Sequence, residues 1–424
     1  MGDGGTGRPV RHPVQVDREP EEQAVETVRQ LLALATPEGA AALSRAATLL
    51  AGGMDAVSAL TRLRAEVGTD LAGPAWGVAR QREKARSTFG PDADRLLFTG
   101  DTLEQAGRPA LADRRAARLL AEGAEPVADL GCAAGTDTIA LARAGARVVA
   151  VDRDPVAREL TRLNTTALGL TGVEVVDADV VDLVAAATDG KVAGCRAAVL
   201  DPARRAGGRR QLDPDRWSPP WSTVTALLDR VPAAVVKVAP GLDHDRVPDG
   251  IEAEWVSTGG SIVEALLWGR GVSTTWRRAT LLRDGRLSEV TADAEPGPAP
   301  VGPVRGWLHE PDPALIRSGL MSLVAADATL VDPTIAYLTS DGPSGSPWLS
   351  SYRVADVLPF NLKKLKAHLR ARGIGRVVVK KRGSPIEPET LARRLRGPGS
   401  GSAVVVVTRV AGAPTVLVCD PLSA

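Results

Sequence analysis

The sequence is poor in several residue types, and each shortage argues against a class of protein. Only 3 of the 424 residues are cysteine and 4 are histidine. The cysteines show no paired spacing, which argues against a disulfide framework and against a zinc site. Lysine and arginine (52) nearly balance aspartate and glutamate (51), so any affinity for nucleic acid must come from local basic patches.

Long apolar runs are also missing. No stretch reaches the length of a membrane span, and the polar N-terminus has no hydrophobic signal core. We therefore expect a cytoplasmic protein with neither a membrane nor a metal partner. The length predicts two or three domains with ample buried core, but nothing in the sequence indicates an oligomeric state.

The most informative stretch runs from Val127 to Arg204. It begins with a short apolar strand, followed by a glycine-containing turn, a helical pattern and a second β-branched strand that ends at Asp152. This order is a βαβ unit, which predicts a parallel sheet with a right-handed crossover. Ligands of such sheets bind at the carboxyl ends of the strands, where we expect Gly131, Asp152, Asp179 and Asp201.

Charge indicates which ligand this edge takes. The turn contains Asp129, Gly131 and Gly135, and Asp137 comes close behind. Two carboxylates would repel the pyrophosphate of a dinucleotide, which a glycine turn of another kind binds. They suit S-adenosyl-L-methionine, which carries an amino group and a sulfonium.

Two further acids fit the same cofactor. Asp152, at the end of the second strand, is predicted to accept the ribose hydroxyls. Asp179, after the third strand, is predicted to reach the adenine edge. In the alternative interpretation these acids only cap strands and helices.

This stretch resembles the class I S-adenosylmethionine-dependent methyltransferases, over roughly Asp101 to Leu282. The glycine loop matches at Asp129, Gly131 and Gly135, with Ala133 where many members have a further glycine. Within the class, the chain is most similar to bacterial proteins that add a THUMP-like C-terminal domain, and distantly similar to trimethylguanosine synthase. The resemblance implies an α/β fold: a Rossmann-like sheet with an N-terminal helical region and a small C-terminal α+β domain.

The fourth strand ends in Asp201-Pro202-Ala203-Arg204. Many nucleic-acid methyltransferases have Asp, Asn or Ser, then Pro-Pro and an aromatic residue, at this place. A side-chain oxygen and a backbone carbonyl there accept the N–H groups of a base amine, and proline stiffens the turn. We therefore predict Asp201 and Pro202 as the reaction centre. Because an arginine replaces the aromatic residue, Arg204 is expected to stack on a base or pair with a phosphate.

Two other features bear on the chemistry. The stretch Val235–Gly241 has no cysteine, which disfavours a C5-methylation mechanism. Ser218-Pro219-Pro220-Trp221 matches the proline motif better, but it follows LDPDRW and not an apolar strand. We therefore expect it away from the carboxyl edge of the sheet, with Trp217 or Trp221 as its most plausible contact with a base.

The sequence predicts five regions. Residues 1–19 form a disordered tail, 20–98 an N-terminal helical region, and 99–290 the methyltransferase domain. Residues 291–349, which include a proline-rich run, form a linker and helical connection, and 350–424 form the THUMP-like domain.

A basic block marks the last region. Between Asn361 and Gly383 there are nine lysines and arginines and no acid. This composition predicts a surface for phosphate groups, although a basic face kept for solubility is the alternative. The residues predicted to contact RNA are Lys363, Lys366, Arg370, Lys380 and Lys381.

The resemblance implies that such a domain presents RNA to the attached enzyme. The sequence therefore predicts a methyltransferase that acts on a base of RNA, either tRNA or rRNA. Two alternatives stay open: a protein that binds cofactor and RNA without transferring a methyl group, and a small-molecule methyltransferase.

Overall fold

The computed structural model describes residues 18–121, 123–206, 209–211 and 213–420. The chain divides into two compact units. The first comprises the residues up to Ala203 together with Ser218–Ala234, and the second comprises Arg204–Trp217 and Val235–Ala424. Most of the predicted tail, residues 1–17, lies outside the described residues.

In the described part of the chain, six α-helices precede the sheet of the first unit. They are α1 (Arg18–Leu34), α2 (Pro37–Ala51), α3 (Ala56–Val67), α4 (Thr69–Phe89), α5 (Gly100–Gln105) and α6 (Pro109–Ala121). The Thr36 and Asp55 side chains cap α2 and α3 by accepting backbone N–H groups.

The predicted helical region does not form a core of its own. Its apolar side chains share one buried cluster with Ala134, Ile139 and Leu160, which lie beyond the first strand of the sheet. The side chain of Asn164 bonds to both backbone groups of Leu97 and to the carbonyl of Ala134. These contacts join residues 20–98 to the predicted methyltransferase region.

Four parallel strands form the centre of the first unit, in the order β4-β1-β2-β3. They are β1 (Val127–Leu130), β2 (Val148–Asp152), β3 (Val173–Asp177) and β4 (Ala197–Leu200), and all residues of β1 and β4 are buried. The accompanying helices are α7 (Thr136–Arg143), α8 (Pro155–Ala167), α9 (Val180–Ala185) and α10 (Trp221–Arg230). The predicted βαβ unit and α/β fold are confirmed, and the carboxyl ends of the strands form one edge.

Among its described residues, the second unit contains a two-stranded pair, a five-stranded group and a seven-stranded sheet. Two-residue strands β5 (Arg205–Ala206) and β6 (Arg209–Arg210) pair with each other. The five-stranded group has the order β11-β10-β8-β9-β7. Its strands are β7 (Ala233–Val238), β8 (Glu252–Thr258), β9 (Ser261–Trp268), β10 (Arg277–Arg283) and β11 (Arg286–Ala292).

A seven-stranded sheet forms the rest of the second unit, in the order β13-β14-β12-β15-β18-β17-β16. Its strands are β12 (Trp307–Pro311), β13 (Thr329–Asp332), β14 (Ile335–Ser340), β15 (Leu349–Pro359), β16 (Ile374–Lys381), β17 (Gly401–Val410) and β18 (Ala413–Cys419). The helices are α11 (Pro313–Ser318), which packs on β8, β9 and β10, and α12 (Leu362–Ala371) and α13 (Pro388–Leu395).

The prediction that residues 291–349 form a linker and helical connection is wrong for most of that region. The region contributes β12, β13 and β14 to this sheet. Strand β17 carries apolar side chains on both faces, so other elements must pack against each face to bury it. Val405 and Val407 pack with α12 and α13 on one face, and Val404 and Val406 pack with Leu308 and other residues of β12–β14 on the other. Within the described ranges, no helix is long and apolar enough to cross a bilayer.

Candidate functional site

Two glycines shape the turn after β1. Gly131 and Gly135 have φ values of 89° and 87°, which favour glycine. A Cβ on Gly131 would lie 3.4 Å from the carbonyl oxygen of Asp201, and one on Gly135 would lie 3.2 Å from Thr161 Oγ1. Ala133 also has a left-handed φ of 49°, at a cost of about 1 kcal/mol. The turn therefore passes close to the backbone that follows β4.

The two acids of this turn have different partners. Asp137 binds the guanidinium of Arg115 from α6, with Nη2 at 2.6 Å and Nε at 2.9 Å from the same carboxylate oxygen. Arg115 is 1% exposed, so this is a buried ion pair that compensates the charge of Asp137. Asp129 is also buried and accepts the hydroxyl of Thr138. Binding of a cationic ligand at this turn stays a prediction.

Asp152 is oriented by the backbone at the end of β2. One carboxylate oxygen accepts the Ala133 N–H at 3.2 Å and the other accepts the Asp154 N–H at 2.9 Å. Burial raises the pKa of Asp152, and these hydrogen bonds act against that rise. Each oxygen of a carboxylate accepts more than one hydrogen bond, so the group can also bind ribose hydroxyls.

Asp179 has the capping role that the alternative interpretation gives to these acids. Its Oδ1 accepts the N–H of Val181 at 2.7 Å at the start of α9. Its Oδ2 lies 3.7 Å from Nη1 of Arg153. Capping leaves the second oxygen able to accept another hydrogen bond, so contact with adenine stays a prediction.

The predicted reaction centre lies beside a second segment of the chain. Asp201 and Pro202 follow β4, and Ala203 then pairs with Ser218 through N–H···O bonds of 2.7 and 3.0 Å. The expectation that the Ser218 turn (Ser218–Trp221) lies away from the carboxyl edge is therefore wrong. The Ser-Pro-Pro-Trp motif could have indicated this position. The turn reaches the carboxyl edge by pairing with Ala203, although no apolar strand precedes it.

The two tryptophans beside this turn belong to the core. Trp217 and Trp221 are 3% and 8% exposed, and the indole N–H of Trp217 donates to the carbonyl of Gln211 at 3.2 Å. This burial agrees with a turn that has no direct role in substrate contact, and it disfavours the alternative in which one of them stacks on a base.

Arg204 contacts the protein itself. Its Nη1 donates to the carbonyl of Val238, at the end of β7, at 2.9 Å. The bond holds the guanidinium against the backbone of the second unit. Contact between Arg204 and a base or phosphate stays a prediction.

The three cysteines are free thiols and all are buried. Burial raises the pKa of Cys195 to about 11 and that of Cys419 to about 12, and raises the pKa of Cys132 as well. These thiols are therefore protonated at neutral pH and are poor nucleophiles. In the part of the chain that the structure describes, no three His, Cys, Asp or Glu residues form a group suited to a metal ion.

The basic block of the C-terminal region splits into paired and exposed cations. Lys380 binds Glu310 at 2.6 Å and Lys381 binds Glu387 at 2.7 Å, so acids outside the block compensate both charges. This differs from the prediction that both contact RNA. The other three predicted residues are exposed on α12 at spacings of three and four, which places them on one face: Lys363, Lys366 and Arg370.

Comparison with known proteins identifies the family of the chain. A family model described as a methyltransferase domain matches residues 127–206, and one described as THUMP domain-like matches residues 349–421. Curated proteins in two strains of Mycobacterium tuberculosis, named as uncharacterized S-adenosylmethionine-dependent methyltransferases, are 35% identical over 339 residues. That alignment covers 77% of this chain and 89% of theirs. The chain belongs to the S-adenosylmethionine-dependent methyltransferases.

The fold of this methyltransferase is also similar to that of a solved protein of Porphyromonas gingivalis W83, described as a candidate methyltransferase. The TM-score is 0.65 at 17% identity, and the match covers 94% of this chain and 98% of that one. The likeness extends over nearly the whole chain and concerns the fold alone.

The cofactor of the methyltransferase is S-adenosyl-L-methionine, and the residues present fit it. The glycine turn leaves room beside the backbone of Asp201, where a Cβ on Gly131 would come to 3.4 Å. The residues predicted to hold it are Asp129, for the amino group and sulfonium, and Asp152, whose oriented oxygens would accept hydroxyls. When bound, the cofactor would supply an electrophilic methyl group for transfer.

Proposed function

We propose that this methyltransferase transfers a methyl group to a base of an RNA, either tRNA or rRNA. The observation that carries the proposal is the α12 face, defined as Lys363, Lys366 and Arg370. All three are exposed, and within the described residues none forms an ion pair with an acid. The match to a THUMP domain-like model over residues 349–421 gives the same region a second line of support.

The charge of the α12 face favours an RNA substrate over a small-molecule acceptor. Apolar side chains of α12, such as Leu365 and Leu369, face the core, so the α12 face is not needed for packing. Residues three and four apart on a helix have Cβ atoms about 5–6 Å from each other, and like charges at this spacing repel and cost stability unless a polyanion binds. A phosphate backbone offers such a polyanion, and a small acceptor gives the face no role.

The reaction centre is suited to holding an amine. We expect the carboxylate of Asp201 to accept an N–H of an exocyclic base amine, with Pro202 restricting the backbone of the same turn. The amine lone pair is delocalised into the ring, and such a hydrogen bond favours the geometry in which it attacks the methyl group. Trp217 and Trp221 are buried, so Arg204 is the remaining residue predicted to stack on the base.

Mass spectrometry of nucleosides tests the proposal. Total RNA from a strain lacking this protein should lose one methylated nucleoside that the parent strain contains. A plasmid copy of the wild type should restore it, and Asp201→Ala should not restore it. The variant should still bind cofactor, because Asp201 is assigned to the acceptor. An RNA profile identical in the two strains contradicts an RNA substrate and favours a small-molecule acceptor.

A further inference from the structure

Arg153 connects the two ends of the carboxyl edge. It follows Asp152 at the end of β2, and its side chain is 69% exposed. Its Nη1 lies 3.7 Å from Asp179 Oδ2, and its Nη2 donates to Ser218 Oγ at 3.3 Å. Asp179 comes after β3 and Ser218 pairs with Ala203 after β4, and β1 and β2 stand between those strands. The two contacts therefore span the edge from the adenine side to the reaction centre.

We propose that Arg153 is a positioning residue that couples the Asp179 carboxylate, on the cofactor side, to the Ser218 turn, on the acceptor side. On the cofactor side, Val181 N–H already holds one oxygen of Asp179, and Arg153 restrains the other. A carboxylate held from both sides presents its remaining lone pairs in a fixed direction, which favours recognition of the adenine amine.

The acceptor half of the inference concerns the Ser218 turn and rests on the proposed RNA methylation. Two backbone hydrogen bonds join Ser218 to Ala203, two residues beyond Asp201. The hydroxyl of Ser218 is the point at which Arg153 restrains this turn. A guanidinium has donors in a planar fork and can hold a carboxylate and a hydroxyl together, whereas an ammonium at this position would have to choose one.

Three substitutions separate the two contacts. Arg153→Ala should raise the dissociation constant for S-adenosyl-L-methionine about two- to fivefold, the range of exposed charge pairs. It should also raise KM for RNA from the deletion strain, with kcat nearly unchanged. Ser218→Ala should raise that KM alone, and Arg153→Lys should restore cofactor affinity without restoring KM. The matched control is Arg162→Ala, which removes an exposed arginine of α8 that pairs with Glu159.

Calorimetric titration with the cofactor needs no acceptor, so it tests the inference even where RNA methylation fails. Wild-type cofactor affinity in Arg153→Ala overturns it, as does an equal loss of affinity in Arg162→Ala. If RNA from the deletion strain is methylated, an unchanged KM for that RNA in both Arg153→Ala and Ser218→Ala would contradict the proposal that Arg153 acts on the Ser218 turn. Melting temperatures of all variants, measured in parallel, identify any loss that comes from unfolding.

Discussion

At the scale of single residues, neighbouring acids of similar sequence context have different roles. Asp137 compensates a buried arginine, Asp179 caps a helix, and Asp152 is held by two backbone N–H groups at the end of β2. Only the partners reveal these differences. Among these acids, Asp152 combines burial with an orientation toward the glycine turn, which makes it the residue whose change should most affect cofactor binding.

Asp152→Asn should weaken S-adenosyl-L-methionine binding by about ten- to a hundredfold. The amide keeps one acceptor oxygen but loses the charge that strengthens hydrogen bonds to the ribose, an effect of about 1.5–3 kcal/mol. Isothermal titration calorimetry measures the change. Asp177→Asn, at the exposed end of β3, is the matched control because it removes a carboxylate whose partner is Arg158.

The pH dependence of cofactor binding should also report the ionisation of Asp152. Burial raises the pKa of Asp152, so its carboxylate takes up a proton at a higher pH than an exposed aspartate. Affinity in the wild type should therefore fall as the pH drops through that raised pKa, because the ionised form is the one that binds. Affinity that is flat over this range, or that falls equally in Asp152→Asn, would contradict the assignment.

At the scale of elements, the basic block between Asn361 and Gly383 divides into paired cations and exposed cations. Lys380 and Lys381 lie on β16 and bind acids of other elements, while the α12 face stays exposed. The paired lysines contribute to the structure of the C-terminal sheet. The α12 face contributes charge that packing does not require.

Replacing Lys363, Lys366 and Arg370 together with glutamate should weaken binding of RNA from the deletion strain. The slope of log affinity against log salt should fall by about 2, since each contact with a single-strand phosphate contributes about 0.7. Filter binding at several salt concentrations measures the slope. Cofactor affinity should not change.

A control variant places the same charge change elsewhere. Arg29, Arg62 and Arg64 are exposed on α1 and α3, and their joint replacement with glutamate alters net charge equally. If this control lowers the slope as much as the α12 variant does, overall charge explains the binding and the α12 face has no special role.

At the scale of the whole molecule, the THUMP-like segment is not an independent appendage. Its strand β15 pairs with β12. The face of β17 that carries Val404 and Val406 packs on Leu308, Val331 and Tyr337. Of these, Leu308 and Tyr337 are completely buried. Residues 307–340 therefore complete the core of the C-terminal sheet.

Deleting residues 350–424 should destabilise what remains of the second unit. The cut leaves Leu308 and Tyr337 exposed, each at a cost of about 1.5–3 kcal/mol of burial free energy. The truncated protein should bind a hydrophobic dye and melt at a lower temperature than the full chain. Deletion of residues 300–424 is the comparison, because it removes β12–β14 with the sheet that they cover. Equal dye binding and melting in the full chain and the 350–424 deletion would show that β12–β14 do not need that sheet.

The sequence by itself determined the central βαβ unit, the glycine turn and the strand ends that carry Asp129, Asp152 and Asp201. These features are local: an apolar strand, a turn and a helix each have a short pattern that neighbouring residues specify. The cofactor followed from them, because acids placed at the ends of consecutive parallel strands must meet at one edge.

Only the tertiary structure decided which partners those residues take. The pairs Arg115–Asp137, Ala203–Ser218 and Lys380–Glu310 join residues 22, 15 and 70 positions apart. No local pattern specifies such a contact, since it depends on how strands and helices pack. The same reason explains the strands found in the predicted linker: β12–β14 are short, and the apolar face of β17 that they cover lies far along the chain.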